Sequence, residues 1–220
     1  RRKGRNMALA MNGRVLSQEI WPAEGSALWA RRAALIVLGI AALWVSAKIQ
    51  IATVPVPVTL QMLVVMVIGA AYGPRLGLAT VAGYIALGIQ GAPVFAGTPE
   101  KGIGLAYVLG PTGGYILGFA IAAYVVGMLA QRGWDRSPVS MAAAMAVGIL
   151  CVYVPGVIWL SSGFGALAGL SPLTEPFMGY GWANWYAYGV RTFIWVDALK
   201  LVVAVIAFPV IWRWVGNARG

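Results

Sequence analysis

Six stretches of this chain are apolar for long enough, or nearly long enough, to cross a bilayer, and they are separated by proline, glycine or arginine. Few folds are compatible with that pattern, because a helix crossing ~30 Å of hydrocarbon needs about 20 consecutive apolar residues. The stretches run over residues 28–51, 58–72, 76–89, 113–129, 139–164 and 185–214. The first ends before Pro55 and Pro57, the second at Gly73-Pro74 and the third at Gly91-Ala92-Pro93. Proline lacks the backbone donor and disfavours helix at the residue before it. The third stretch is short for a full crossing and calls for an irregular flank inside the protein. Charged residues make up 10% of the 220 residues and hydrophobic ones 60%, whereas soluble domains carry about 25% charged residues. So little polar surface cannot cover a water-facing particle. The expected fold is an all-α integral membrane protein. A single bundle of six transmembrane helices occupies 27–216, after a polar N-terminal segment (1–26) and before a short tail (217–220). Residues 6–21 read weakly as an interfacial helix, and no removable signal peptide is expected in 1–26.

The net charge of +10 is distributed in short pieces between apolar runs, with no basic helix and no interleaved aromatic motif. That argues against nucleic acid as a partner and for the positive-inside rule. With the N-terminus in the cytoplasm, that side holds Arg1, Arg2, Lys3, Arg5, Arg14, Arg31, Arg32, Arg75, Arg132, Arg136, Arg213 and Arg219. The opposite side holds only Lys48 and Lys101, while Arg191 and Lys200 fall within the sixth stretch. Both termini are therefore expected in the cytoplasm, with the long loops after the third and fifth spans facing outward. Trp21, Trp29, Trp182, Trp185, Trp212 and Trp214 sit near the expected interfaces, as aromatic belts do. The chain has no histidine and one cysteine, Cys151. Histidine metal sites and histidine base catalysis are excluded, and Cys151, in an apolar run, reads as a packing residue.

Asp197 is the only acid inside an expected span, and Lys200 follows three residues later. That spacing puts both on one helix face, about 60° apart. Each charge at membrane depth costs about 2.5–3.5 kcal/mol on insertion scales, and buried ion pairs are poor stabilisers. Three readings follow: mutual neutralisation within the bundle, a ligand site, or a proton or ion relay. For a ligand, the carboxylate offers acceptors and the ammonium donors. Together they suit a neutral group with N–H and C=O side by side, such as a urea or amide. Arg191, near the outer end and about 120° round the helix from Asp197, reads as a snorkelling interfacial residue.

Residues 55–61 read PVPVTLQ, residues 93–104 read PVFAGTPEKGIG and residues 110–115 read GPTGGY. In this order, and with Asp197-x-x-Lys200 in the last span, they resemble the BioY family of biotin transporters, the substrate-binding S components of energy-coupling factor (ECF) transporters. The resemblance covers roughly residues 47–201. It implies six helices, biotin held near the outer face, Asp197 and Lys200 as ligands to it, and contributions from the loop after the third span and from GPTGGY. It implies no enzymatic activity and no cofactor, with biotin as cargo. Biotin combines a ureido ring, an apolar thioether ring and a carboxylate. Asp197 and Lys200 match the polar groups, and Phe95, Tyr107 and Tyr115 match the apolar ring. Gln61 is a candidate pocket or interhelical hydrogen bonder, Thr98 a candidate ligand contact and Thr59 either a helix cap or a pocket residue. Gly113 and Gly114 allow close approach of ligand or of a neighbouring helix.

Small residues recur on one face of the first span at Ala27, Ala30, Ala34 and Ala41, with Ala42-x-x-x-Ser46 as a competing stripe. Such stripes let helices pack closely. The resemblance implies that Ala30-x-x-x-Ala34 meets a transmembrane coupling protein. No G-x-x-x-x-G-K-[ST] pattern occurs, so P-loop ATP hydrolysis would come from partner ATPase subunits. A different vitamin as cargo, a proton-coupled carrier working through Asp197, and a membrane enzyme using Asp197 are the competing functions. The last has a thin active site, lacking histidine, metal set or nucleophile.

Overall fold

The computed structural model describes residues 15–51, 53, 56–162 and 182–217. The expectations for residues 1–14, Pro55, Phe164, the loop with Pro172, Glu175 and Pro176, and the tail at 218–220 lie outside the described residues. A short helix α1 (Leu16–Ile20) occupies the described end of the expected interfacial segment. It is followed by α2 (Gly25–Lys48), a two-stranded antiparallel hairpin β1 (Gln50–Ile51) and β2 (Val58–Thr59), α3 (Gln61–Tyr72) and α4 (Pro74–Ile89). A loop helix α5 (Gly104–Val108) precedes α6 (Gly113–Gln131). The turn Trp134–Arg136 then leads into α7 (Pro138–Ser162), and a wide π-turn (Ala187–Arg191) into α8 (Thr192–Asn217).

Among the described residues, four helical segments are long and apolar enough to cross a membrane: α2, α6, α7 and the last helix from its π-turn (Ala187–Val215). The helices α3 and α4 are apolar but shorter. The chain is a multi-pass helical membrane protein. Element ends follow the breakers in the sequence: Gly73, at φ +83°, separates α3 from α4, and Pro74 takes the first helical position of α4, where its missing N–H is not needed. Several boundaries differ from expectation, and two of them face each other across one connection. The first span ends at Lys48 instead of residue 51, and the second begins at Gln61 instead of residue 58. Both displaced ends pair with each other, Gln50 with Thr59 and Ile51 with Val58. Pro57 disfavours helix here, and the strand pairing satisfies backbone groups of Gln50, Ile51, Val58 and Thr59 instead.

α6 lies at the centre of the bundle, against α3, α4 and α7. Glycine makes the closest of these crossings. A Cβ on Gly118 would lie 2.7 Å from Val152 Cα and 2.9 Å from the Cys151 carbonyl oxygen. Gly113 and Gly114 meet Val108, Pro155, Gly156 and Trp159 in the same way, so both serve helix packing. Cys151 is partly buried beside this crossing, as a packing residue would be. At the far end of α8, the Trp212 indole donates to Asp135 Oδ2 at 2.6 Å, and the Arg136 guanidinium lies 4.8 Å from the Trp212 ring centre. Burial pushes the Asp135 carboxyl up to about 6, because desolvation outweighs the indole hydrogen bond. This contact fastens α8 to the turn between α6 and α7.

Replacing Gly118→Ala is expected to destabilise the protein by about 1–3 kcal/mol through overpacking against backbone that has no room to retreat. A lowered melting temperature in detergent checks it; an unchanged one means that α6 and α7 do not cross here.

Candidate functional site

α8 is apolar on nearly every side, and burial picks out the inward face. Phe193, Asp197, Lys200, Ala204, Phe208 and Trp212 are buried along one helical stripe. Trp195, Leu199, Val203, Ile206 and Trp214 lie on the exposed surface, between 51% and 80% accessible. Asp197 and Lys200 are only 4% and 9% accessible, so neither charge faces lipid or open water.

Every short contact of the pair has a chemical reason. Lys200 Nζ donates to Asp197 Oδ1 at 2.7 Å and to the Thr59 carbonyl oxygen at 2.6 Å. Tyr153 on α7 donates its hydroxyl proton to Asp197 Oδ2 at 2.6 Å. Desolvation is offset only when both charges also have further hydrogen-bond partners. The carboxylate keeps acceptor capacity beyond these two bonds, and the ammonium has three protons, of which two are engaged. Donor and acceptor capacity thus remain side by side on one helix turn.

The pair forms one end of a small cavity of about 50 Å³, lined also by Val56, Pro57, Thr59, Met62, Tyr115, Phe119, Val152, Tyr153 and Phe193. A second cavity of about 40 Å³ shares Val56, Pro57, Thr59, Tyr115 and Phe119 with it and extends to Gln61, Phe95, Ala96, Tyr107, Thr112 and Ile116. The shared walls make the two neighbouring lobes of one region, ionic at one end and aromatic at the other. Tyr115, between them, is fixed by donating to the Gly189 carbonyl at 2.8 Å, in the π-turn that precedes α8.

The aromatic end is assembled by the loop after α4. Phe95 stacks on Tyr107, with centres 4.9 Å apart and planes 12° apart, and meets Tyr84 edge-on at 5.4 Å. Tyr84 donates to the Val94 carbonyl and Tyr107 to the Ala96 carbonyl, at 2.8 and 2.7 Å. Burial pushes the Tyr107 phenol up to about 12, so it stays a proton donor in this role. Gln61 Nε2 donates to the Tyr84 hydroxyl at 2.8 Å, joining α3 to the same network. Lys48, at the C-terminus of α2, reaches across to the Phe95 carbonyl, the Thr98 carbonyl and Thr98 Oγ1, at 3.1, 2.9 and 3.0 Å. One ammonium therefore holds the loop segment that carries Phe95 and Ala96 into the cavity.

Six expected site residues line this region: Asp197 and Lys200 the ionic lobe, Gln61, Phe95 and Tyr107 the aromatic lobe, and Tyr115 both. Thr98 lines neither lobe. Its hydroxyl is engaged with Lys48 and the Phe95 carbonyl, so it shapes the loop. Thr59 lines the region, and its hydroxyl accepts from the Gln61 N–H at 3.3 Å at the start of α3. Arg191 is exposed on the π-turn, away from the pair. Ala30 and Ala41 are exposed and Ala34 half-buried, so the small-residue stripe of α2 faces outward. Sequence reasoning missed Tyr153, Phe119, Phe193 and Lys48. Tyr153 could have been sought as a donor for the lone intramembrane carboxylate. Among the described residues, no group of three or more acidic, cysteine or histidine side chains gathers to hold a metal.

The fold defines a multi-pass membrane protein with a buried ion pair at one end of a largely apolar and aromatic cavity. Comparison with known proteins makes this specific. The BioY family model matches residues 15–217, and the chain belongs to the BioY family. A relative from Pyrococcus horikoshii, named "Probable biotin transporter BioY", is 36% identical, with 80% of this chain and 93% of the relative covered. Relatives from Thermotoga maritima and Rhizobium etli, each named "Biotin transporter BioY", are 35% and 33% identical; each covers 78% of this chain, with 85% and 86% of the relatives covered. A solved S-component for biotin from an ECF-type ABC transporter superposes with a TM-score of 0.62. It covers 87% of this chain and 95% of its own at 23% identity, a likeness of fold. Proteins of this family are transporters and not enzymes.

Lys48→Met removes the three charge-assisted contacts to the 95–98 segment. Hydrogen exchange at the Thr98 and Lys101 amides, which bond to Phe95 and Gly97 within the loop, is expected to accelerate about tenfold or more. Unchanged exchange would show that the aromatic stack alone holds the loop.

Proposed function

We propose that this protein is the biotin-binding substrate subunit of a vitamin importer in a bacterial inner membrane, and that the buried Asp197–Lys200 pair recognises the vitamin's polar groups. The family membership and the printed names of the relatives support biotin as cargo. The observation carrying the site assignment is the pair itself, buried at one end of an otherwise largely apolar and aromatic cavity. Asp197 accepts from ureido N–H groups, while Lys200 donates to the ureido oxygen or the carboxylate. Tyr153 orients the Asp197 carboxylate. Phe95, Tyr107 and Tyr115 receive the apolar ring, with Gln61 bracing the loop that carries Phe95. Thr98 acts through the loop and not by direct contact.

The topology we infer has six spans, with the shorter α3 and α4 counted among them, and both termini in the cytoplasm, as the distribution of arginine supports. The cavity then opens toward the outer face beside the hairpin and the loop after α4. Transport is powered by a transmembrane coupling protein and ATPase subunits. The outward stripe of Ala30, Ala34 and Ala41 on α2 is the contact for the coupling protein, allowing close helix approach.

Biotin binding by the purified protein, measured by calorimetry, is expected to weaken about 10- to 100-fold in Asp197→Asn and in Lys200→Ala through loss of charge-assisted bonds. Tyr153→Phe is expected to weaken it less. Because each single charge variant leaves a buried partner uncompensated, the neutral double variant Asp197→Asn/Lys200→Met serves as the folding control, with a near-native melting temperature and no tight binding. Undiminished affinity in these variants would defeat the site, and tighter binding of another vitamin in a competition panel would change the cargo.

A further inference from the structure

A second cleft lies at the other end of α2, away from the ion pair. It is an open cleft of about 740 Å³ between the start of α2 and the α3–α4 turn. Arg31, Arg32 and Arg75 line it, together with Ser17, Gln18 and Gln131. No acidic side chain lines it among the described residues. Arg31 is 5% accessible; it donates one N–H to the Trp21 carbonyl at 2.8 Å, while its Nε is buried without a partner. The Ser17 hydroxyl, also of a buried residue, is likewise unpartnered. Two unsatisfied polar groups and three guanidiniums thus converge on one space. Leaving such groups unmatched is costly, and an anion satisfies both the hydrogen bonding and the charge.

The remainder of the lining says what kind of anion. Ala33 and Ile36 on α2, with Leu76 and Ala79 on α4, continue the cleft as apolar surface. The site is amphiphilic along its length, with donors at one end and hydrocarbon at the other. Trp29, 69% accessible and 5.1 Å beneath the Arg32 guanidinium, stands at the rim as an interfacial aromatic does. We propose that this cleft binds an anionic phospholipid of the arginine-rich leaflet. Its phosphate lies among Arg31, Arg32 and Arg75, and an acyl chain runs along the groove between α2 and α4. The proposal rests on the membrane reading of the chain and not on the identity of its cargo.

Native mass spectrometry of the detergent-purified protein, incubated with phosphatidylglycerol or phosphatidylcholine, reads out the lipid retained. Phosphatidylglycerol is expected to be retained at least tenfold better. The exposed-side variant Arg32→Gln/Arg75→Gln is expected to lose most of that preference, on the order of fivefold per arginine. Arg213→Gln, a basic residue outside the cleft, is expected to keep it. Arg31→Lys, which keeps the charge but lacks Nε, is expected to retain an intermediate amount. Biotin affinity should be native in the Arg32/Arg75 variant, which separates a failed lipid site from a misfolded protein or a wrong cargo. Equal retention of both lipids, or a preference that survives Arg32→Gln/Arg75→Gln, would overturn the proposal. So would displacement of the lipid by an equal concentration of glycerol phosphate or inorganic phosphate, because the site would then be one for a soluble anion.

Discussion

An ammonium and a carboxylate taken into a low-dielectric helix bundle do not stabilise it by attraction alone, since removing each from water costs several kcal/mol. The Asp197–Lys200 pair is tolerated because Tyr153 donates to one carboxylate oxygen and the Thr59 carbonyl accepts from the ammonium. Those two partners come from α7 and from the hairpin, so keeping the pair satisfied fixes how three separate parts of the chain meet. The cavity walls follow from that meeting. Val56, Pro57 and Thr59 lie over the pair because the hairpin is held there, and Val152 and Tyr153 flank it because α7 is held there.

The spans were legible because prolines, glycines and arginines interrupt hydrocarbon-length runs, and those interruptions are where the helices end. The ends at Tyr72 and Ile89 and the start at Gly113 agree with the expected ones. The ends at Lys48 and Gln61 do not, because tertiary pairing turned three residues on each side into hairpin or its turn. The inward face of α8 was legible only through its two charges, as the helix is apolar on its lipid side and largely apolar on its core side. Tyr153 and Lys48 were not legible. A tyrosine inside an apolar span and a lysine at a span end are ordinary membrane residues in sequence, and only geometry joins the first to Asp197 and the second to a loop 47 positions away. Thr98 shows the reverse case, a polar residue in the right loop whose hydroxyl is committed to the loop itself.

The helix α2 links two sites of different character. Lys48 at its C-terminus grips the loop that carries Phe95 into the cavity, while Arg31 and Arg32 near its N-terminus line the basic cleft. Its middle is largely exposed, with Val37, Leu38 and Val45 each at least 60% accessible. A tilt or shift of this helix, whether imposed by lipid or by a neighbouring protein, would be carried to the loop by one side chain.

The wide turn at Ala187–Arg191 has a geometric corollary. A π-turn holds one residue more than the α-helix it interrupts, and each residue in a helix advances its neighbours by about 100°. Side chains before and after the turn are therefore out of the ordinary helical register, and the Gly189 carbonyl, accepting a hydrogen bond from the Tyr115 hydroxyl, ties the turn to α6. The surplus residue lets the segment before the turn follow its own register, while the partners of Asp197, Lys200 and Trp212 hold the helix after it.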